Sequence, residues 1–172
     1  MTNRNILCII LLTLILTACG GGQLKIEPPK IYYSEDVCDH CNMIISDERF
    51  AAAMIIEVSE GRTDSRIFDD IGDMLYYHKK HPEFRVLARY VHDYETHAWL
   101  DAETAFYVHS KDVHSPMGHG IIACATQEQA LQVADHFNGR VLIYKNLVAM
   151  AEAGSFIDLH ADSRSENVSG HD

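Results

Sequence analysis

Two short segments hold most of the side chains able to do chemistry. The first is Cys38-Asp39-His40-Cys41-Asn42-Met43. Two cysteines three apart in a tight turn can clamp one ion. In an extended chain residues i and i+2 point to the same side, so Cys41 and Met43 would offer a thiolate and a thioether to one point. Soft sulfur donors select Cu(I) over magnesium or calcium, because affinity here follows polarisability more than charge. The same residues also fit a Cys38–Cys41 disulfide beside a core methionine, and the segment alone leaves both readings open.

The second segment is His114-Ser115-Pro116-Met117-Gly118-His119-Gly120, where Met117 and His119 are again i and i+2. Pro116 stiffens the approach, and the glycines allow close packing or positive φ. A methionine between Pro and Gly is poorly placed for a core, so Met117 reads as a functional donor. Two loops with sulfur and nitrogen donors would then converge on one ion. Three soft donors without a fourth would leave that ion able to depart, as a carrier requires.

Other chemistry is less well served. A closed four-cysteine zinc site lacks its second pair. Cys124 lies in the apolar run 121–125 and reads as a buried core thiol. A thioredoxin-type dithiol would open a helix after a strand, whereas here the strand comes afterwards. His78, His81, His92, His97, His109 and His136 are scattered and read as surface or core, and His40 as exposed. Asp69 and Asp70 would suit acid–base work, but helix capping accounts for them.

The elements that must position these loops follow a repeated order. A β-leaning run over 51–58, the turn signal Glu60-Gly61 and a short strand over 66–68 come first. Asp69 and Asp70 then precede a helix over 71–80, with Met74, Leu75 and His78 at helical spacing, and Pro82 ends it. A third strand covers 85–91. The second half gives strands over 105–109 and 120–125. A capping box at Thr126-Gln127-Glu128-Gln129 opens a helix to about 137, and Asn138-Gly139 stops it. A strand over 140–144 and a short helix over 148–153 follow. The expected fold class is α+β: two ββαβ units, over 31–95 and 96–158, packed as one domain or as two small lobes. The tail 159–172 is polar and reads as disordered.

The N-terminus reads as an address. Arg4, an apolar core over 6–16 and Leu16-Thr17-Ala18-Cys19 make a secretory signal over 1–18. The cysteine after small residues resembles a bacterial lipoprotein cleavage box, with Cys19 as the lipidated first residue. Gly20, rather than Asp, points to the outer membrane of the cell envelope, facing the periplasm. Residues 19–30, with Gly20-Gly21-Gly22 and Pro28-Pro29, read as a flexible tether. Acyl chains would anchor the domain to membrane lipid without a spanning helix. Cys38, Cys41 and Cys124 are the remaining sulfhydryls, an odd number, so a fully paired framework within one chain is excluded.

Of 172 residues, 47% are apolar and 23% charged, the balance of a globular chain rather than a disordered or fibrous one. Lys plus Arg is 14 against 25 Asp plus Glu, a net charge of −11. Such a chain repels phosphate backbones, so nucleic acid is not an expected partner.

Four blocks together resemble one family. Residues 41–51, Cys41-Asn42-Met43 onwards, resemble the Cys-Gly-Met opening of the NosL family, accessory lipoproteins of nitrous oxide reductase. Phe68-Asp69-Asp70-Ile71-Gly72-Asp73-Met74-Leu75 is similar to its second block, His97-Ala98-Trp99-Leu100-Asp101-Ala102 to its aromatic block, and Ser115-Pro116-Met117-Gly118-His119-Gly120 to its Pro-Met-Gly block. The blocks run in order over most of 36–145. The resemblance implies a Cu(I)-binding chaperone, not an enzyme. It would take copper from a membrane donor and deliver it to the membrane ABC-type machinery that assembles nitrous oxide reductase. It also implies two ββαβ units related to the organomercurial lyase fold. Its ligands map to Cys41 and Met43, with Met117 next; His119 is added from spacing, and Cys38 is a second thiolate or a bystander. Asn42 stands where the family has Gly, which alters the turn. Two rivals remain: a periplasmic thiol–disulfide oxidoreductase using Cys38 and Cys41, and a structural lipoprotein stapled by a Cys38–Cys41 disulfide.

Overall fold

The computed structural model describes residues 26–156. The signal segment 1–18, Cys19, the tether as far as residue 25 and the tail 159–172 lie outside the described residues. The chain order is β1 (Ala52–Ser59), β2 (Arg62–Phe68), α1 (Ile71–Lys80), β3 (Arg85–His92), β4 (Trp99–Asp101), β5 (Phe106–His109), β6 (Ile121–Cys124), α2 (Gln127–His136), β7 (Arg140–Ile143) and α3 (Tyr144–Ala153). The first sheet has the order β2-β1-β3-β4 and the second β6-β5-β7. All named strand pairs are antiparallel. Each ββαβ unit places its first strand at the centre, so the repeat expected from the sequence holds in three dimensions.

Alternate side chains of the core strands point to opposite faces, and in β1 and β6 both faces are covered. Ala52, Met54 and Ile56 of β1 join Phe68, Val91 and the α1 residues Ile71, Met74 and Leu75 in one buried cluster. Tyr107, Ile121 and Ala123 of the second sheet belong to the same cluster, as do Leu147 and Ala151 of α3. The opposite face of that sheet, Val108, Ile122 and Cys124, packs under Ala130, Val133 and Ala134 of α2. One continuous core therefore joins the units. Full burial of a side chain the size of Ile71 or Phe68 contributes about 1.5–3 kcal/mol. Cys124 is a buried core thiol, as its apolar setting suggests.

The helix ends follow their sequence signals. Asp70 caps α1 by accepting from the Gly72 N–H at 2.9 Å. Lys79 and Lys80 in its last turn complement the helix dipole. His81, held before Pro82, has left the helical region at φ −124°, ψ 60°. Thr126 Oγ1 accepts from the Gln129 N–H at 3.2 Å, and Gln129 Oε1 accepts from the Ala125 N–H at 3.0 Å.

Three elements differ most from expectation. β2 begins at Arg62 rather than residue 66: its first half is polar and exposed, and the ladder to β1 makes it a strand. Charged residues suit an edge strand that must not pair further. β4 pairs Trp99, Leu100 and Asp101 with β3, too short a run to announce itself. α3 begins at Tyr144, where β7 passes into helix without a loop and Asn146 Oδ1 accepts from the Ile143 N–H at 3.1 Å. Among the described residues no helix is long and apolar enough to cross a membrane. The end of the tether reaches the first sheet, where Tyr90 Oη donates to the Ile26 carbonyl at 3.2 Å.

Candidate metal centre

The cysteine segment is a tight hairpin loop. Val37 and Ile44 form an antiparallel bridge. Inside it the Cys38 N–H donates to the Met43 carbonyl at 2.8 Å, and the Asn42 N–H to the Cys38 carbonyl at 3.0 Å. Closing so short a loop puts Asn42 at φ 61°, in the left-handed region. Asn tolerates that region better than other residues with a Cβ, so it can stand where Gly would otherwise be needed. Asp39 stitches the loop to the free edge of β2. Its N–H donates to the Ile67 carbonyl at 2.9 Å, and its carboxylate accepts from the Ile67 N–H at 2.7 Å.

The left-handed turn removes the extended geometry on which Cys41 and Met43 would share one side. Met43 is 55% exposed. It lines a cavity of about 430 Å³ with Lys111, His114 and Met117. Cys41 lines a different cleft of about 330 Å³ with His40, Asp73, Tyr76, Met117 and His119. Met117 is the wall common to both. The second loop thus brings Met117 to the wall of the Cys41 cleft, while Met43 lines the neighbouring cavity with it. His40, expected to be merely exposed, forms part of the cleft wall.

Cys38 is fully buried, behind the cleft residues Cys41 and Asp73 to which it is hydrogen-bonded. Its thiol donates to Asp73 Oδ2 at 3.3 Å, and its sulfur accepts from the Cys41 N–H at 3.5 Å. One ligand atom each from Cys38, Cys41 and Asp73 lies within 4.8 Å of the other two. Both cysteines are unpaired thiols. The other oxygen of Asp73 meets His119 Nε2 at 3.1 Å. Burial alone would lower His119, but the hydrogen bond to Asp73 and the charges of Asp70 and Asp73 outweigh it and hold the imidazole up. Burial likewise opposes Asp73, yet hydrogen bonds from His119 and the two thiols hold it below the usual carboxylate value. Burial, then Asp73, push the Cys41 thiol up.

The first turn of α1 organises all of this. Gly72 presents no side chain to His119: a Cβ there would come within 2.3 Å of the ring carbons Cγ and Cδ2. Tyr76, one turn on, meets the same ring at 5.4 Å between centroids, and Phe156 backs it at 6.2 Å. Asp70, fully buried, accepts from Ser115 Oγ at 2.5 Å and from the Met117 N–H at 3.2 Å. Its partner Asp69 accepts from the Ser46 N–H at 3.3 Å. Capping explains only part of what this acidic pair does.

Asp73 is the site residue that sequence reasoning missed. One signal could have found it: Asp70, Asp73, Met74 and Tyr77 fall at i, i+3, i+4 and i+7, so an acid sits on the stripe that must be buried. Chemically, the cleft offers two overlapping donor sets. Cys41 with Met117 is soft and suits Cu(I), whereas Cys38, Cys41 and Asp73 with nearby His119 are mixed and suit a borderline divalent ion. In either case binding would displace thiol protons.

Fold and site together define a small α+β protein that turns a sulfur-rich cleft, built from two loops and one helix, towards a metal ion. The chain belongs to the NosL family, whose family model matches residues 29–151. It is 28% identical over 151 residues to the copper-binding lipoprotein NosL of Stutzerimonas stutzeri, covering 80% of this chain and 76% of that protein. Its fold is similar to that of the copper chaperone NosL from Shewanella denitrificans, with a TM-score of 0.59 and 18% identity. That likeness covers 70% of this chain and 96% of the other.

Proposed function

We propose that this chain is a Cu(I) carrier rather than an enzyme. The observation that carries the reading is the convergence of Cys41 and Met117, 76 positions apart in sequence, on one cleft. Cys41 supplies a thiolate once its proton is displaced. Met117 supplies a neutral thioether, with Met43 on its far side as a further exposed sulfur through which an ion can pass in or out. His119 and Asp73 form the inner wall, with Cys38 buried behind them. Such a partly open, soft site binds Cu(I) and releases it by stepwise ligand exchange.

The finer reading rests on the family and the named relatives. The mature chain is anchored by lipid on Cys19 in the cell envelope, facing the periplasm from the outer membrane. It takes copper from a membrane donor and delivers it to the assembly machinery of nitrous oxide reductase. The oxidoreductase alternative asks for an attacking thiol of lowered pKa, and here burial raises both Cys38 and Cys41.

Competition against a colourimetric Cu(I) chelator under anaerobic conditions tests the reading. Cys41→Ser is expected to abolish tight binding. Unchanged affinity in that variant would overturn it.

A further inference from the structure

Met117 belongs to the second unit and Cys41 to the loop that precedes β1 in the first. The position of the thioether therefore depends on how the 115–120 turn is fixed to the rest of the molecule. That turn is shaped from within by the Gly118 N–H donating to the Ser115 carbonyl at 2.9 Å and the Gly120 N–H donating to Ser115 Oγ at 3.0 Å. Gly118 at φ 74° and Gly120 at φ 65° let the backbone turn so tightly. It is tied to α1 by Asp70. One carboxylate oxygen, Oδ2, accepts from both the Ser115 hydroxyl (2.5 Å) and the Met117 N–H (3.2 Å).

Capping a helix does not require this arrangement. The cap uses the other oxygen, Oδ1, towards Gly72, and an exposed Asp would serve as well. Burying a carboxylate completely is costly unless donors surround it. Here two of its three donors come from the loop. A neutral thioether is a weak ligand, so its contribution to affinity depends on being held in place beforehand.

We propose that Asp70 is the positioning residue of the cleft, its carboxylate clasping Ser115 and the Met117 amide so that the Met117 sulfur faces Cys41. This rests on the Cu(I)-carrier reading and assigns Asp70 no contact with the ion. Asp70→Asn keeps the helix cap but weakens the clasp.

The test is a double-mutant cycle on the full chain, read as Cu(I) affinity by anaerobic competition with bathocuproine disulfonate and accompanied by thermal melts. Asp70→Asn and Met117→Ala are each expected to weaken binding about tenfold. The double variant should bind within about twofold of Met117→Ala alone, because the clasp has nothing left to position. Ser115→Ala, which removes the hydroxyl arm of the clasp and leaves the cap intact, carries the same cycle if Asp70→Asn fails to fold. Wild-type affinity in the clasp variant, or a full tenfold loss added to that of Met117→Ala, overturns the proposal. Absence of Cu(I) binding by the wild-type chain would instead overturn the carrier reading beneath it.

Discussion

The Cys38 thiol donates to Asp73 Oδ2 over 3.3 Å, joining the cysteine loop to the first turn of α1. The other oxygen of the same carboxylate holds His119. A single helical acid therefore links the two loops that carry the soft donors.

Asp73 also sets the reactivity of the neighbouring thiol. Burial pushes Cys41 up and the negative charge of Asp73 pushes the same way. Asp73→Asn removes that charge, so the thiol becomes more acidic and the thiolate fraction at mildly alkaline pH rises. Alkylation of the metal-free protein by iodoacetamide, followed at Cys41 by mass spectrometry, is expected to be several-fold faster in the variant. An equal or slower rate would show that the carboxylate does not act on this thiol.

Gly72 gives a prediction opposite to intrinsic propensity. In a helix interior, Ala is favoured over Gly by about 1 kcal/mol. Here the new methyl would stand 2.3 Å from His119 Cγ, so Gly72→Ala is expected to lower the melting temperature and to move His119 away from Asp73. Histidine titration by NMR should then show the raised pKa of His119 falling back. A melting temperature above that of the wild type would contradict the packing described here.

His92 gives the acid dependence of stability. Its Nδ1–H donates to the His97 carbonyl at 2.7 Å, so Nε2 accepts from Tyr33 Oη at 2.9 Å, and Trp99 covers the ring at 3.7 Å. Burial holds the imidazole below its ordinary value of 6.5. The unfolded chain thus takes up this proton at a higher pH than the folded one. The contribution of His92 to stability is present in full well above pH 6.5 and is lost as pH falls through that value. Urea unfolding at pH 7.5 and 5.5 should show that loss, and His92→Gln should reduce it. An equal pH dependence in the variant would assign the acid limb to other groups.

The sequence revealed what periodicity and punctuation control. The core strands, α1, α2, the buried Cys124 and the two donor loops lay close to where the alternation of apolar residues, Pro82 and Asn138-Gly139 placed them. Elements held together mainly by partners were hidden. The polar half of β2 is a strand because β1 pairs with it, and three-residue β4 because β3 does. At the site, the expectation for Cys41 and Met43 assumed an extended chain, and the left-handed Asn42 turned Met43 outward. Asp73 stayed hidden because a first-turn acid in a helix has an ordinary explanation in the dipole.

The central claim is that Met117 and Cys41 bind one soft ion together. Copper K-edge X-ray absorption on the chain loaded anaerobically with one equivalent of Cu(I) tests it most directly, comparing wild type with Met117→Ala. A sulfur-dominated shell that loses one sulfur neighbour in the variant is the predicted result. An identical shell in both proteins, or one made of nitrogen and oxygen alone, would contradict it.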